Sequence, residues 1–168
     1  MAQLLHRSVK NSMGWKCSSC GELITSIKDG WVEWLAGEDQ SGRPLLKGLR
    51  LVHRTRATDR GADRQSCQYC ARREFRNDQS IVEGLSLERF VGPDGLMMFL
   101  SLISVGEMPT DEILELMKRV QIPGYEQTRD LLQEAVGQGV VVPSIGKGFY
   151  MQSEMWALLR HHPQSPPP

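Results

Sequence analysis

All four cysteines of this 168-residue chain fall in two Cys-x-x-Cys pairs, Cys17-Ser-Ser-Cys20 and Cys67-Gln-Tyr-Cys70. Four thiolates arranged as two knuckles supply the tetrahedral ligand set of a structural zinc ion, with each pair clasping one side of the metal. The pairs must then meet in space, and the 46 residues between Cys20 and Cys67 become a loop closed by the ion. Disulfides and a dithiol redox centre compete with this reading. No apolar run approaches the ~20 residues that a membrane helix needs. The N-terminal Met1-Ala-Gln-Leu-Leu-His-Arg lacks the apolar core of a signal peptide. A reducing, cytoplasmic location is therefore expected, and there paired cysteines serve more often as metal ligands or redox groups than as disulfides.

The residues around the first pair weigh against redox chemistry. Trp15-Lys-Cys17-Ser-Ser-Cys20 superficially resembles the thioredoxin active site, which needs an apolar strand before it and an amphipathic helix after it. Upstream lies the polar Gln3-Leu-Leu-His-Arg-Ser-Val-Lys-Asn, and downstream come Gly21 and a hairpin pattern. Trp31-Val-Glu-Trp-Leu35 favours a strand by its aromatic and branched residues. Gly37-Glu-Asp-Gln-Ser-Gly-Arg-Pro44 is dense in turn formers, and Leu49-Arg-Leu-Val-His53 forms a second strand. Knuckle, hairpin and knuckle, over residues 15–71, resemble a zinc ribbon. His53, three residues before Arg56, is similar to the His-x-x-Cys half of a treble-clef or LIM-like site, with arginine where the cysteine would stand. Two ligand sets stay open: all four cysteines, or a set in which His53 replaces one of them. A strand-end histidine without a role is the plain alternative for His53.

The formal charge is zero, yet residues 41–76 carry a net +7 and residues 77–168 a net −6. Such asymmetry suggests two surfaces with different partners, or one half docking on the other. Arg54, Arg56, Arg60 and Arg64 lie in a stretch without apolar periodicity, and Arg72, Arg73 and Arg76 follow the second knuckle. These arginines are candidates for phosphate contact. Asp59 and Asp63 weaken the field, and a solvated loop is an equal reading.

From Pro93 the period turns helical. Leu96–Ser104 predicts a buried helix. Thr110, as N-cap, opens a second helix with Ile113, Leu116, Met117 and Val120 on one face. Pro123-Gly124 breaks the chain, and a third helix is expected over Tyr125–Val136, its buried stripe being Thr128, Leu131, Leu132, Ala135 and Val136. Val140–Val142 and Phe149–Met151 are expected as two strands about a Gly146-Lys-Gly148 turn, with a last helix over Ser153–Arg160. This order resembles a winged helix-turn-helix domain, whose third helix would enter the DNA major groove. The face opposite the buried stripe carries Glu126, Asp130 and Glu134, and only Arg129 and Lys147 favour attraction to phosphate. Tyr125 and Gln127 are placed to read base edges, or simply to pack and to meet solvent. The fold resembles a DNA-binding module, while its surface suits protein contact equally well.

No phosphate-binding glycine loop, dinucleotide fingerprint or hydrolase motif occurs, so neither a nucleotide cofactor nor catalysis is expected. The chain is read as α+β: a zinc-ribbon-like module with a basic loop (1–76), a linker or connecting segment (77–92), a winged-helix domain (93–160) and a disordered Pro-rich tail (161–168). The expected function is that of a zinc-binding, non-enzymatic, nucleic-acid-associated regulator, with Cys17, Cys20, Cys67 and Cys70, or a set including His53, on the metal. Arg54, Arg56, Arg72, Arg73, Arg129 and Lys147 would meet nucleic acid. The alternative is a protein-interaction adaptor whose acidic winged helix docks on a partner while the zinc is purely structural.

Overall fold

The computed structural model describes residues 14–54, 66–139, 141–146 and 148–161, and among them the chain is a mixed α+β protein with two small antiparallel sheets and five helices. Strands β1 (Trp15–Lys16) and β2 (Leu23–Ile24) pair with each other and enclose the first knuckle. Strands β3 (Gly30–Glu38), β4 (Pro44–His53) and β5 (Ile81–Ser86) form a sheet in the order β4-β3-β5. Helix α1 (Ala71–Asp78) follows the second knuckle, and α2 (Gly92–Val105), α3 (Thr110–Gln121), α4 (Tyr125–Gly137) and α5 (Gln152–His161) complete the chain. No described helix is long and apolar enough to cross a membrane.

The hairpin expected between the knuckles is present, and its strands run longer than the apolar runs suggested. Asp39 caps its turn by accepting from the backbone N–H groups of Ser41 and Arg43. The β3–β4 register slips between Glu33 and Leu35, where Gly48 adopts φ 67°. A Cβ at Gly48 would come within 2.6 Å of the Tyr69 hydroxyl oxygen, so only glycine fits this bulge without displacing the second knuckle. Val32, Glu33, Trp34 and Leu35 are buried in succession, which means that both faces of the central strand are covered. The outer edge of β4 is closed by the start of the helical half. The Leu46 N–H donates to the Glu107 carbonyl at 2.8 Å, and the Leu49 N–H to Glu112 Oε2 at 2.7 Å.

One core runs through both halves. Val32, Leu51 and Val52 of the sheet pack with Leu87, Phe90, Phe99, Ile113 and Leu116, and Cys17 and Ile24 of the knuckle belong to the same cluster. The segment expected to connect two domains is thus sheet and core: residues 81–86 supply β5, and a 3-10 turn at Leu87–Phe90 buries two large side chains. A smaller cluster of Tyr125, Leu132 and Met155 joins α4 to α5.

The helices lie where the apolar period placed them, although Pro109 rather than Thr110 holds the N-cap position of α3. The wing departs from expectation. Val141 and Val142 lie in no strand, Val142 is exposed, and the pairing among the described residues of this segment is a single bridge between Gly146 and Phe149. A strand needs a partner ladder, and the three glycines at 139, 146 and 148, all at positive φ, turn the chain too often to build one. His161 closes α5, and the tail beyond it, like Val140, lies outside the described residues.

Candidate metal centre

The first knuckle is a tight reversal. The Gly21 N–H donates to the Cys17 carbonyl at 2.9 Å, the Cys17 N–H to the Glu22 carbonyl at 2.8 Å, and Gly21 takes φ 78° to permit the turn. The Ser19 N–H points at Cys17 Sγ at 3.4 Å, which is the backbone-to-thiolate geometry a metal knuckle needs. The Ser18 N–H donates to the Leu51 carbonyl at 2.8 Å and ties the knuckle to β4. Two residues further along β4 comes His53, at the strand's end opposite Gly30.

Cys17, Cys20, His53 and Cys67 converge so that one ligand atom of each lies within 4.8 Å of the others, a group that can hold a metal ion. Nδ1 of His53 stands 3.5 Å from Cys20 Sγ and 3.8 Å from Cys67 Sγ, while Nε2 lies 3.3 Å from the Leu23 carbonyl oxygen. A carbonyl accepts only, so Nε2 donates to it, and Nδ1 is the ring atom turned to the sulfurs. Metal-bound histidines are held in this way, with the remote N–H anchored on an acceptor. All four cysteines are free thiols.

The electrostatics of the group favour a cation. Burial opposes ionisation of Cys17, but hydrogen bonds from the Cys20 and Ser19 backbone and from His53 outweigh it and bring that thiol down to about 6. Burial and the neighbouring Cys20 and Cys17 sulfurs push Cys67 up to about 12. The first thiolate forms readily and the next is resisted by it, a conflict that a divalent ion at the centre removes.

Cys70 lies outside this group. It is exposed and serves as the N-cap of α1, its carbonyl accepting from the Arg73 and Glu74 N–H groups at 2.8 and 3.0 Å. The chain after Cys67 runs on into a helix instead of reversing, and His53 occupies the fourth place.

Two ion pairs, one with a half-buried arginine and one fully buried, fasten the knuckles. Arg50 pairs with Glu33 across β4 and β3 at 2.7 Å, stacks 3.5 Å over the Tyr69 ring and donates to the Cys67 carbonyl at 3.2 Å. Glu33, 0% exposed, also accepts the Tyr69 N–H at 2.9 Å, and burial raises its carboxyl above the ordinary range. Arg119 and Glu126, both buried, bind the residues on either side of Cys17. The signal for the first pair was present, a lone acid inside the aromatic run Trp31-Val-Glu-Trp-Leu35; Arg119, on the flank of an amphipathic helix, gave none.

The arginines expected to meet nucleic acid divide. Arg54 is exposed and lies 5.5 Å over the Trp31 ring; Arg72 and Arg73 are exposed on the first turn of α1, with Arg73 paired to Glu74. Arg129 stands among the carboxylates of Glu115, Glu126 and Asp130, at 3.6–3.9 Å. Arg56 and Lys147 lie outside the described residues. The face of α4 expected to be solvated is partly consumed, since Glu126 is buried on Arg119 and Asp130 pairs with Lys16. Tyr125 is buried as well, its hydroxyl donating to Glu115 Oε2 at 2.9 Å. Comparison with protein-family models, with curated proteins and with solved structures finds no match for this chain.

Proposed function

We propose that this chain is a zinc-binding, non-enzymatic interaction module in which Cys17, Cys20, Cys67 and His53 hold a structural ion. The observation that carries this reading is the His53 ring, anchored through Nε2 on the Leu23 carbonyl with Nδ1 turned to two sulfurs. Three thiolates and one imidazole in tetrahedral reach select zinc among the common divalent ions. Four protein ligands leave no open position for a substrate or an activated water, which is the ground for a structural rather than catalytic ion. Native mass spectrometry tests it: one zinc per chain is expected, and a metal-free protein with an intact fold would refute the reading.

A protein partner is the favoured one. Helix α2 exposes Leu96, Met97, Leu100 and Val105, an apolar face of the kind that marks interaction sites. The carboxylate face of α4, in contrast, is engaged internally and poorly suited to a DNA groove. A nucleic-acid role keeps one specific support, the exposed Arg54, Arg72 and Arg73 beside the metal centre. Fluorescence anisotropy with single- and double-stranded oligonucleotides separates the two. The adaptor reading expects no binding at low salt, whereas binding that falls steeply with salt and is lost in the Arg54→Ala, Arg72→Ala, Arg73→Ala triple variant would establish the nucleic-acid role instead.

A further inference from the structure

We propose that the Arg119–Glu126 pair is a positioning device for the metal centre, one that makes ion binding and the docking of α3 and α4 on the first knuckle a single linked equilibrium; this rests on the metal-binding reading above. The guanidinium of Arg119 spends its three nitrogens on fixed acceptors. Nε meets Glu126 Oε2 at 2.7 Å, Nη2 meets Glu126 Oε1 at 2.8 Å and the Lys16 carbonyl at 2.5 Å, and Nη1 meets Ser18 Oγ at 3.1 Å. Glu126 Oε1 also accepts the Lys16 N–H at 2.7 Å. Both side chains are 5% exposed. Lys16 Nζ reaches Asp130, one turn further along α4.

Lys16 and Ser18 are the neighbours of Cys17, the most buried of the four ligands. The backbone N–H and carbonyl of Lys16 are therefore both satisfied by residues more than a hundred positions away in sequence. Between these anchors Cys17 has little freedom, and its sulfur is presented to the other three ligands in advance. Such support around the ligands of a metal is worth about 10–100-fold in affinity. The dependence also runs the other way. The ion holds the knuckle in the shape that offers Lys16 and Ser18 to Arg119, so losing it withdraws acceptors from a buried charge pair and loosens the first turn of α4.

Zinc affinity, read by competition with a chromophoric chelator, tests this on the full chain. In the double variant Arg119→Met, Glu126→Leu the buried pair becomes apolar at similar volume, a replacement that folded proteins generally tolerate. It is expected to bind zinc about 10–100-fold more weakly than the wild type. Leu132→Ala, which weakens the α4–α5 cluster without touching the knuckle, is expected to stay within about threefold, well below that support effect. A folded double variant with wild-type affinity would overturn the proposal, as would a Leu132→Ala variant that loses as much. If circular dichroism shows the double variant unfolded, Glu126→Gln decides in the same assay: a loss of about tenfold is expected, and unchanged affinity overturns the proposal. A wild-type chain that takes up no zinc sinks the metal reading itself, whereas zinc uptake that is indifferent to these variants sinks only the positioning role.

Discussion

In the first Cys-x-x-Cys segment the chain enters and leaves through two paired strands, β1 and β2, and both cysteines reach the shared centre; in the second the chain runs on into α1, and only Cys67 reaches it. Equal spacing has produced unequal knuckles because the four-residue motif does not set its own exit. At Gly21 a left-handed residue reverses the chain and holds Cys20 beside Cys17. At Cys70 the backbone begins a helix, its carbonyl accepting from that helix's first turn, and the ring of His53, from the end of β4, completes the group that could hold a metal. Their supports differ as well. The second knuckle is fastened by a cross-strand pair within the sheet, Glu33–Arg50, and the first by a pair from two helices far along the chain, Arg119–Glu126. A motif count reports how many thiols are available; the direction in which the chain departs bears on which of them converge.

This asymmetry is open to test. The largest effect is expected from Cys17→Ser, which removes the innermost ligand. Zinc in native mass spectra should fall from one ion to none, with loss of near-ultraviolet dichroism from the knuckle and sheet, since structural zinc contributes about 10 kcal/mol or more to small folds. His53→Ala should cost nearly as much metal as a cysteine change, by about two orders of magnitude or more in chelator competition; wild-type affinity in that variant would return Cys70 to the ligand set. Glu33→Ala should reduce stability in urea by about 1–3 kcal/mol, because it takes the carboxylate from half-buried Arg50 and the acceptor from the Tyr69 N–H beside the second knuckle. Cys70→Ser is expected to do least. Zinc content should be unchanged, and stability should rise by a few tenths up to about 1 kcal/mol, serine being a good N-cap. Loss of zinc on that substitution would erase the distinction between the knuckles.

Much of the architecture could be read from apolar spacing alone. Helices α2 to α5 follow from runs such as Ile113, Leu116, Met117 and Val120, and the β3–β4 hairpin follows from two apolar runs about a turn-rich segment. Helix α1 and strand β5 carry no such signal, for a physical reason. Ala71-Arg-Arg-Glu-Phe-Arg-Asn-Asp78 has almost no apolar face and so shows no apolar period, and Ile81-Val-Glu-Gly-Leu-Ser86 is broken by a glycine and owes its strand to pairing with β3. Gly84 is needed there because a Cβ would meet the Trp31 indole nitrogen at 2.5 Å, a contact between strands far apart in sequence. At the site, spacing points to four cysteines, or to a set in which His53 replaces one of them, and does not say which. That choice depends on where β4 ends in space. Nor could the composition of α4 reveal that Glu126 is spent inside the molecule, because its partner lies on another helix.

The convergence of His53 and Cys67 has one more consequence. These residues stand at the two ends of the span 54–66, and with a bound ion both ends are moored at one point regardless of what the span contains. The entropy of closing such a span grows only logarithmically with its length, and the metal supplies the closure. Additional residues placed there would burden the fold little, and a single cut in the span would leave two fragments joined through the ion. An ion held there would thus make the chain between His53 and Cys67 a place where added length costs the fold little.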